Sequence, residues 1–298
     1  VSHDHHHGTG AVHRPRLAAA FVLVAAFFVV ELTTAVLSGS LALLGDAGHM
    51  GADVVGLGAA LVATRIAVRP DRTGRRTFGS YRAEVFAAGL SVLLMVGTGV
   101  WVVVEAVARL GEPVHVGSVP MLAVGALGLL VNLVCAALLR AGSEDNLNVK
   151  GAYLEVVADA VGSVGVLLAG LLVAVTGQGW WDTVVALAIA VFVAYRAVLL
   201  GREVLTVLGQ HAPAGAHPGA VAAALSTVEG VQSVHDVHVW TLTSGMHVAT
   251  AHLVTSERAD SHAVLDTATL LLRDDFAIDH PTLQVEPAAH GDCHDTTW

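Results

Sequence analysis

The chain has 298 residues, of which 54% are hydrophobic and only 13% charged, with a formal net charge of −10. Soluble domains carry about 25% charged residues, so most of this chain is solvated by lipid, and the negative balance argues against nucleic acid as a partner. The two cysteines, Cys135 and Cys293, imply no disulfide framework.

Residues 1–16 read as a His-rich cytoplasmic tail carrying His3, His5, His6 and His7. The first apolar run is long enough to span a bilayer and lacks a small-x-small cleavage site, so it reads as a span and not as a signal peptide. About 20 residues at 1.5 Å each cross a hydrocarbon core of about 30 Å. Six such segments are expected, at 17–38, 41–67, 83–108, 118–139, 152–176 and 182–208, making 17–208 a transport-type membrane domain. Gly111-Glu112-Pro113 separates the third and fourth, and Gly177 to Trp181 the fifth and sixth, with Trp180 and Trp181 suited to an interfacial belt. With a cytoplasmic N-terminus, the inside connections hold Arg14, Arg16, Arg69, Arg72, Arg75, Arg76, Arg140, Lys150 and Arg202, and the outside ones only Arg109. That asymmetry predicts a multi-pass protein of the cell (inner or plasma) membrane with both termini cytoplasmic.

After Gly209 the composition changes. Residues 212–298 carry eleven acidic residues, two arginines and nine histidines. Residues 218–228 read as a helix, Val231 to Thr243 and His247 to Thr255 as a hairpin turning at Ser244-Gly245, 260–275 as a helix, and Thr282 to Glu286 as a third strand. The order α-β-β-α-β predicts a small ferredoxin-like α+β domain over 209–298. It shows no nucleophile–base arrangement, so no enzyme is expected.

The chemistry sits in two pairs. His49 and Asp53 in the second span, and Glu155 and Asp159 in the fifth, are each four residues apart and so lie one above the other on a helix face. Ionisable groups in a span are costly and persist when they find partners. Two helices that each present two ligands can surround one cation, and an imidazole with three carboxylates suits a divalent first-row metal, zinc foremost. The alternative is that these groups hydrogen-bond to one another and hold the bundle together. Asp46, three residues before His49, is a candidate to hold the imidazole in place. Gly45, Gly48, Gly51, Gly162 and Gly165 would let helices pack closely and slide.

His235, His238, His252, His280 and Glu286 lie on or beside the expected strands. By the period of two, His238 and Trp240 share a face of the first strand while His235 takes the other. Cys293 and His294 form a further thiolate–imidazole pair in the tail, able to complete a site with the N-terminal histidines.

Several runs resemble the signatures of the cation diffusion facilitator family, zinc-exporter type. They are Glu31 through Ser38-Gly39-Ser40-Leu41 to Asp46-Ala47-Gly48-His49-Met50 and Asp53, then Thr77-Phe78-Gly79-Ser80-Tyr81-Arg82-Ala83-Glu84. Asn148-Val149 to Leu154, Gly162-Ser163-Val164-Gly165 and His235-Asp236-Val237-His238-Val239-Trp240-Thr241-Leu242-Thr243 continue the match in order. The resemblance implies six spans, a homodimer in the bilayer, and exchange of cytoplasmic Zn²⁺ for protons. It also implies metal binding by His238, His252, His280 and Glu286 in the C-terminal domain.

Zinc members usually show His-x-x-x-Asp in both spans, whereas the fifth here has Glu155. Oxygen in place of nitrogen hardens the site and weakens discrimination against Mn²⁺ and Fe²⁺, with Cd²⁺ and Co²⁺ the other alternative substrates. Metal binds neutral imidazole and ionised carboxylate, so protons and metal compete for one site, as an antiporter requires. The competing functional reading is a membrane metal sensor or scaffold that moves nothing. An intramembrane metallohydrolase would need an open metal position and a general base, against which four ligands in two pairs argue.

Overall fold

The computed structural model describes residues 10–67, 75–109, 116–143, 147–243 and 245–287. The N-terminal histidines, Arg69, Arg72, Gly111-Glu112-Pro113, Cys293 and His294 lie outside the described residues. The chain divides into two units, Val1–Val62 with Ala87–Gly201, and Ala63–Phe86 with Arg202–Trp298.

The six expected spans correspond to α1 (Gly10–Ser38), α2 (Leu41–Ala67), α3 (Ala83–Ala108), α4 (Ser118–Ser143), α5 (Leu147–Thr176) and α6 (Trp180–Leu208). Five of these are apolar and long enough to cross a membrane. The sixth, α2, has 27 residues, about 40 Å of helix, and carries Asp46, His49 and Asp53 in its first half. Large apolar side chains stay exposed along the outer faces, among them Phe86, Leu93, Val104, Val161, Val191 and Tyr195. In water such faces would associate; in a bilayer they meet acyl chains and need no cover.

The break between α1 and α2 is written locally. Gly39 takes φ +69°, the left-handed conformation that ends a helix, with open space around it. Ser40 then caps α2 by accepting the Leu43 N–H at 3.1 Å. The remaining free N–H groups of that helix start are met from far away in sequence. Asp182, fully buried at the start of α6, accepts Leu41 N at 2.7 Å, Ala42 N at 3.2 Å and the Ser40 hydroxyl at 2.5 Å.

Inside the bundle α4 lies along α5 and α1 against α4. Of the glycines expected to allow close packing, Gly162 and Gly48 stand at the closest approaches. A Cβ on Gly162 would lie 2.5 Å from Asp46 Oδ1, and one on Gly48 would lie 2.9 Å from the Thr98 side chain of α3. Gly45 and Gly165 meet only ordinary van der Waals neighbours at 3.6 Å and beyond. Asn132 Nδ2 donates to Ser163 Oγ at 3.3 Å, a polar tie between α4 and α5 of the kind that holds spans together in lipid.

The second unit contains α7 (Pro218–Leu225), β1 (Val231–Thr243), β2 (Met246–Thr255), α8 (Ser261–Phe276) and β3 (His280–Pro287). The sheet order is β1-β2-β3, with β1/β2 antiparallel and β2/β3 parallel across α8. The α7 helix ends three residues earlier than its apolar pattern suggests. Ser226 and Thr227 turn their hydroxyls back onto the Ala222 and Ala224 carbonyls, competing with further helix. Ala249, Ala251 and Leu253 of β2 join Val221, Leu225, Val264, Ala268 and Leu272 of the helices in one core. By strand alternation His252 and Thr250 therefore face the other side of the sheet, away from both helices.

The strict alternation expected on β1 does not hold. The register passes from His235↔His252 to His238↔Thr250, two residues on β2 against three on β1. This is a β-bulge, with Asp236 at φ 51°. The extra residue returns His235 to the face of His238 and Trp240, not the opposite face.

Candidate metal centre

Two clusters of ligand-type side chains form among the described residues: His49, Asp53 and Asp159, and His235, His252 and Glu286. In each, one ligand atom per residue lies within 4.8 Å of the others.

The first cluster belongs to the helical unit. Asp53 lies twelve residues into α2, about 18 Å along it, and Asp159 six residues into the apolar span Tyr153–Thr176 of α5, about 9 Å from its start. His49 Nε2 is 3.4 Å from Asp53 Oδ2 and 3.3 Å from Asp159 Oδ1, all three side chains being largely buried. Neither of those carboxylate oxygens accepts a hydrogen bond. Two carboxylates less than 5 Å apart repel by about 3–4 kcal/mol at an effective dielectric of 20, and a dication placed among these atoms removes that cost.

Of the four expected residues, the structure thus brings three together. Glu155 lies one turn below Asp159, yet its Oε1 accepts a hydrogen bond from Arg196 Nη2 of α6. Arg196 Nη1 donates to His49 Nε2 and lies 3.5 Å from Asp159 Oδ1. Ligand spacing does not single out Arg196. Its signal was available, because Arg196 is an ionisable side chain inside an otherwise apolar span. Asp46 is buried against Gly162 and does not anchor the imidazole, since His49 Nδ1 has no hydrogen-bond partner.

The second cluster sits on the helix-free face of the sheet. His252 Nδ1 is 2.9 Å from Glu286 Oε1, and His235 Nε2 is 3.7 Å from Glu286 Oε2. The His235 and His252 rings meet edge to face at 5.1 Å. Gln284 Nε2 donates to Glu286 Oε1 at 2.8 Å and fixes that carboxylate. Asp236, raised by the bulge, reaches His238 Nε2 at 2.9 Å and His252 Nε2 at 3.7 Å. Two imidazoles and a buried carboxylate form a donor set suited to a divalent first-row ion. His238 stays exposed on Asp236, and His280 packs edge-on against Phe78 at 5.5 Å, so neither joins the cluster.

Residues 17–208 match the model of the cation efflux transmembrane domain, and residues 213–288 that of the cation efflux protein cytoplasmic domain. The chain is 38% identical over 288 residues to the metal cation efflux system protein CzcD of Cupriavidus metallidurans, covering 96% of this chain and 90% of that one. It is 32% identical over 302 residues to a cadmium, cobalt and zinc/H(+)-K(+) antiporter of Bacillus velezensis, covering 100% and 95%. It is 36% identical over 304 residues to the zinc transporter ZitB of Escherichia coli, covering 99% and 96%. With clusters of ligand-type side chains in both matched regions, this multi-pass membrane chain belongs to the cation efflux family, the cation diffusion facilitators.

Proposed function

We propose that the protein is an antiporter that exports a divalent metal ion, Zn²⁺ foremost, from the cytoplasm in exchange for protons. The observation that carries this is the convergence of His49 Nε2, Asp53 Oδ2 and Asp159 Oδ1 inside the helical unit, with two carboxylate oxygens left without hydrogen bonds. Sensing alone needs no such site deep in a bundle. The relatives named for zinc, cadmium and cobalt support the substrate class. One nitrogen and carboxylate oxygens also accommodate Co²⁺, Mn²⁺ and Fe²⁺.

Each ligand that loses its metal on the far side takes up a proton there, because metal and proton use the same lone pairs. The ion is the substrate of this site. At the His235, His252 and Glu286 cluster, metal binding has a different role: it neutralises an acidic domain and favours pairing of two copies into a homodimer. Both termini are cytoplasmic in this arrangement, following the arginine asymmetry of the loops.

Purified protein in proteoliposomes tests the function. Zn²⁺ uptake should rise when an imposed pH gradient supplies protons on the opposite side, with Cd²⁺ and Co²⁺ competing better than Mn²⁺ and Fe²⁺. Metal that binds to the vesicles but never enters the lumen under any gradient would reduce the protein to a sensor.

A further inference from the structure

Arg196 stands where the ion should go. It lies sixteen residues into α6 between Tyr195 and Ala197, and its side chain is 15% exposed. One arm of the guanidinium, Nη2, holds Glu155. The other, Nη1, donates to His49 Nε2 and sits beside Asp159 Oδ1. These are two of the three atoms that converge in the cluster. The Phe192 ring lies 5.9 Å from its Cζ and supports the guanidinium from the same helix.

The chemistry of that arrangement is exclusive. Guanidinium has five donors, no acceptor, and keeps its charge in proteins. The Nε2 lone pair that receives an Arg196 N–H is the lone pair that a metal would take. A dication and a guanidinium on the same Asp159 oxygen also repel. Glu155, in contrast, can keep its bond to Nη2 while Nη1 swings free. Counted as charges, Glu155 and Arg196 cancel, leaving Asp53 and Asp159 to balance one divalent ion.

We infer that Arg196 is an internal counter-cation that the incoming metal displaces from His49 and Asp159, with Glu155 as the tether that receives it and returns it when the metal leaves. Arg196 is thus a positioning residue: it weakens metal binding so that the ion can be released, and it shields the two aspartates from each other between cycles. This rests on the metal site proposed above.

The test is a split of KM and kcat for Zn²⁺ transport by the full chain in proteoliposomes, comparing the parent with Arg196→Gln, Arg196→Lys, Glu155→Gln and Asp159→Ala. Arg196→Gln should lower KM about tenfold and lower kcat as well, because the ion binds tightly and leaves slowly. Arg196→Lys keeps the charge without the fork and should fall between it and the parent. Glu155→Gln releases the guanidinium onto Asp159 and should raise KM. Opposite KM shifts from the two halves of one ion pair are the signature, since a bond that only holds helices together gives shifts of the same sign. Should Arg196→Gln fail to fold, the double variant Glu155→Gln/Arg196→Gln removes the pair without changing net charge and should still lower KM. An unchanged or raised KM in the Arg196→Gln or double variant overturns the role of Arg196. If Asp159→Ala transports with the parent KM, the metal site itself is wrong, whatever Arg196 does.

Discussion

The Asp182 carboxylate of α6 accepts the backbone N–H of Leu41 at 2.7 Å and so caps the helix that carries His49 and Asp53. An ionised carboxylate at a helix N-terminus also meets the positive end of the helix dipole. The ligand helix is therefore fixed at its start by a residue 141 positions away.

Removing that cap should destabilise the bundle. Asp182→Ala leaves Leu41 N and Ala42 N without their acceptors in a buried site, a loss of about 1–3 kcal/mol. Asp182→Asn keeps one acceptor oxygen and should lose less. Thermal unfolding of the detergent-solubilised protein orders the three, and equal midpoints for parent and Asp182→Ala would show the cap to be dispensable.

Gly162 tests the contact between α5 and α2. An alanine there places its Cβ 2.5 Å from Asp46 Oδ1, so either the carboxylate or the helix must shift. We expect Gly162→Ala to cost about 1–3 kcal/mol. In a double-mutant cycle, Asp46→Ala should relieve part of that cost, since the two residues touch. Additive effects would mean that the strain falls elsewhere.

At the His49, Asp53 and Asp159 cluster, the proposed site predicts that Asp53→Ala or Asp159→Ala weakens Zn²⁺ affinity by about a hundredfold or more, each factor of ten being about 1.4 kcal/mol. For the parent, affinity should fall as the pH is lowered, because protonated imidazole and protonated carboxylate lose their ligand lone pairs. His49→Ala removes the imidazole and should flatten that dependence between about pH 6 and 8. An identical pH profile in parent and His49→Ala would assign the competing protons to the carboxylates alone.

The sheet cluster makes a separate prediction. In a full chain already carrying Asp53→Ala and Asp159→Ala, the Zn²⁺ that remains bound should be lost on His235→Ala or His252→Ala. It should survive His280→Ala, because His280 packs on Phe78 and contributes no ligand. Equilibrium dialysis measures this directly, and loss on His280→Ala would redraw the site around the start of β3.

The local features follow from sequence spacing. Long apolar runs become helices because every backbone group must be paired within its own segment in lipid. Four-residue spacing puts His49 and Asp53 on one helix face, and their ligand atoms do meet at 3.4 Å. The positions of strands β1 to β3 are legible from apolar alternation, and Ser38-Gly39-Ser40 marks a helix break through the freedom of glycine and the capping power of serine. Spacing states which side chains share a face, but not what stands opposite. Glu155 shares the face of Asp159 and is nevertheless taken by Arg196, because α6 brings a full positive charge to that depth. His235 joins His252 because one extra residue at Asp236 changes the register of a strand whose alternation looked regular. Asp182 caps α2 because helix packing sets two distant helix starts side by side. In each case the deciding partner is remote in sequence, and only the packed chain brings the charges and backbone groups within hydrogen-bonding distance.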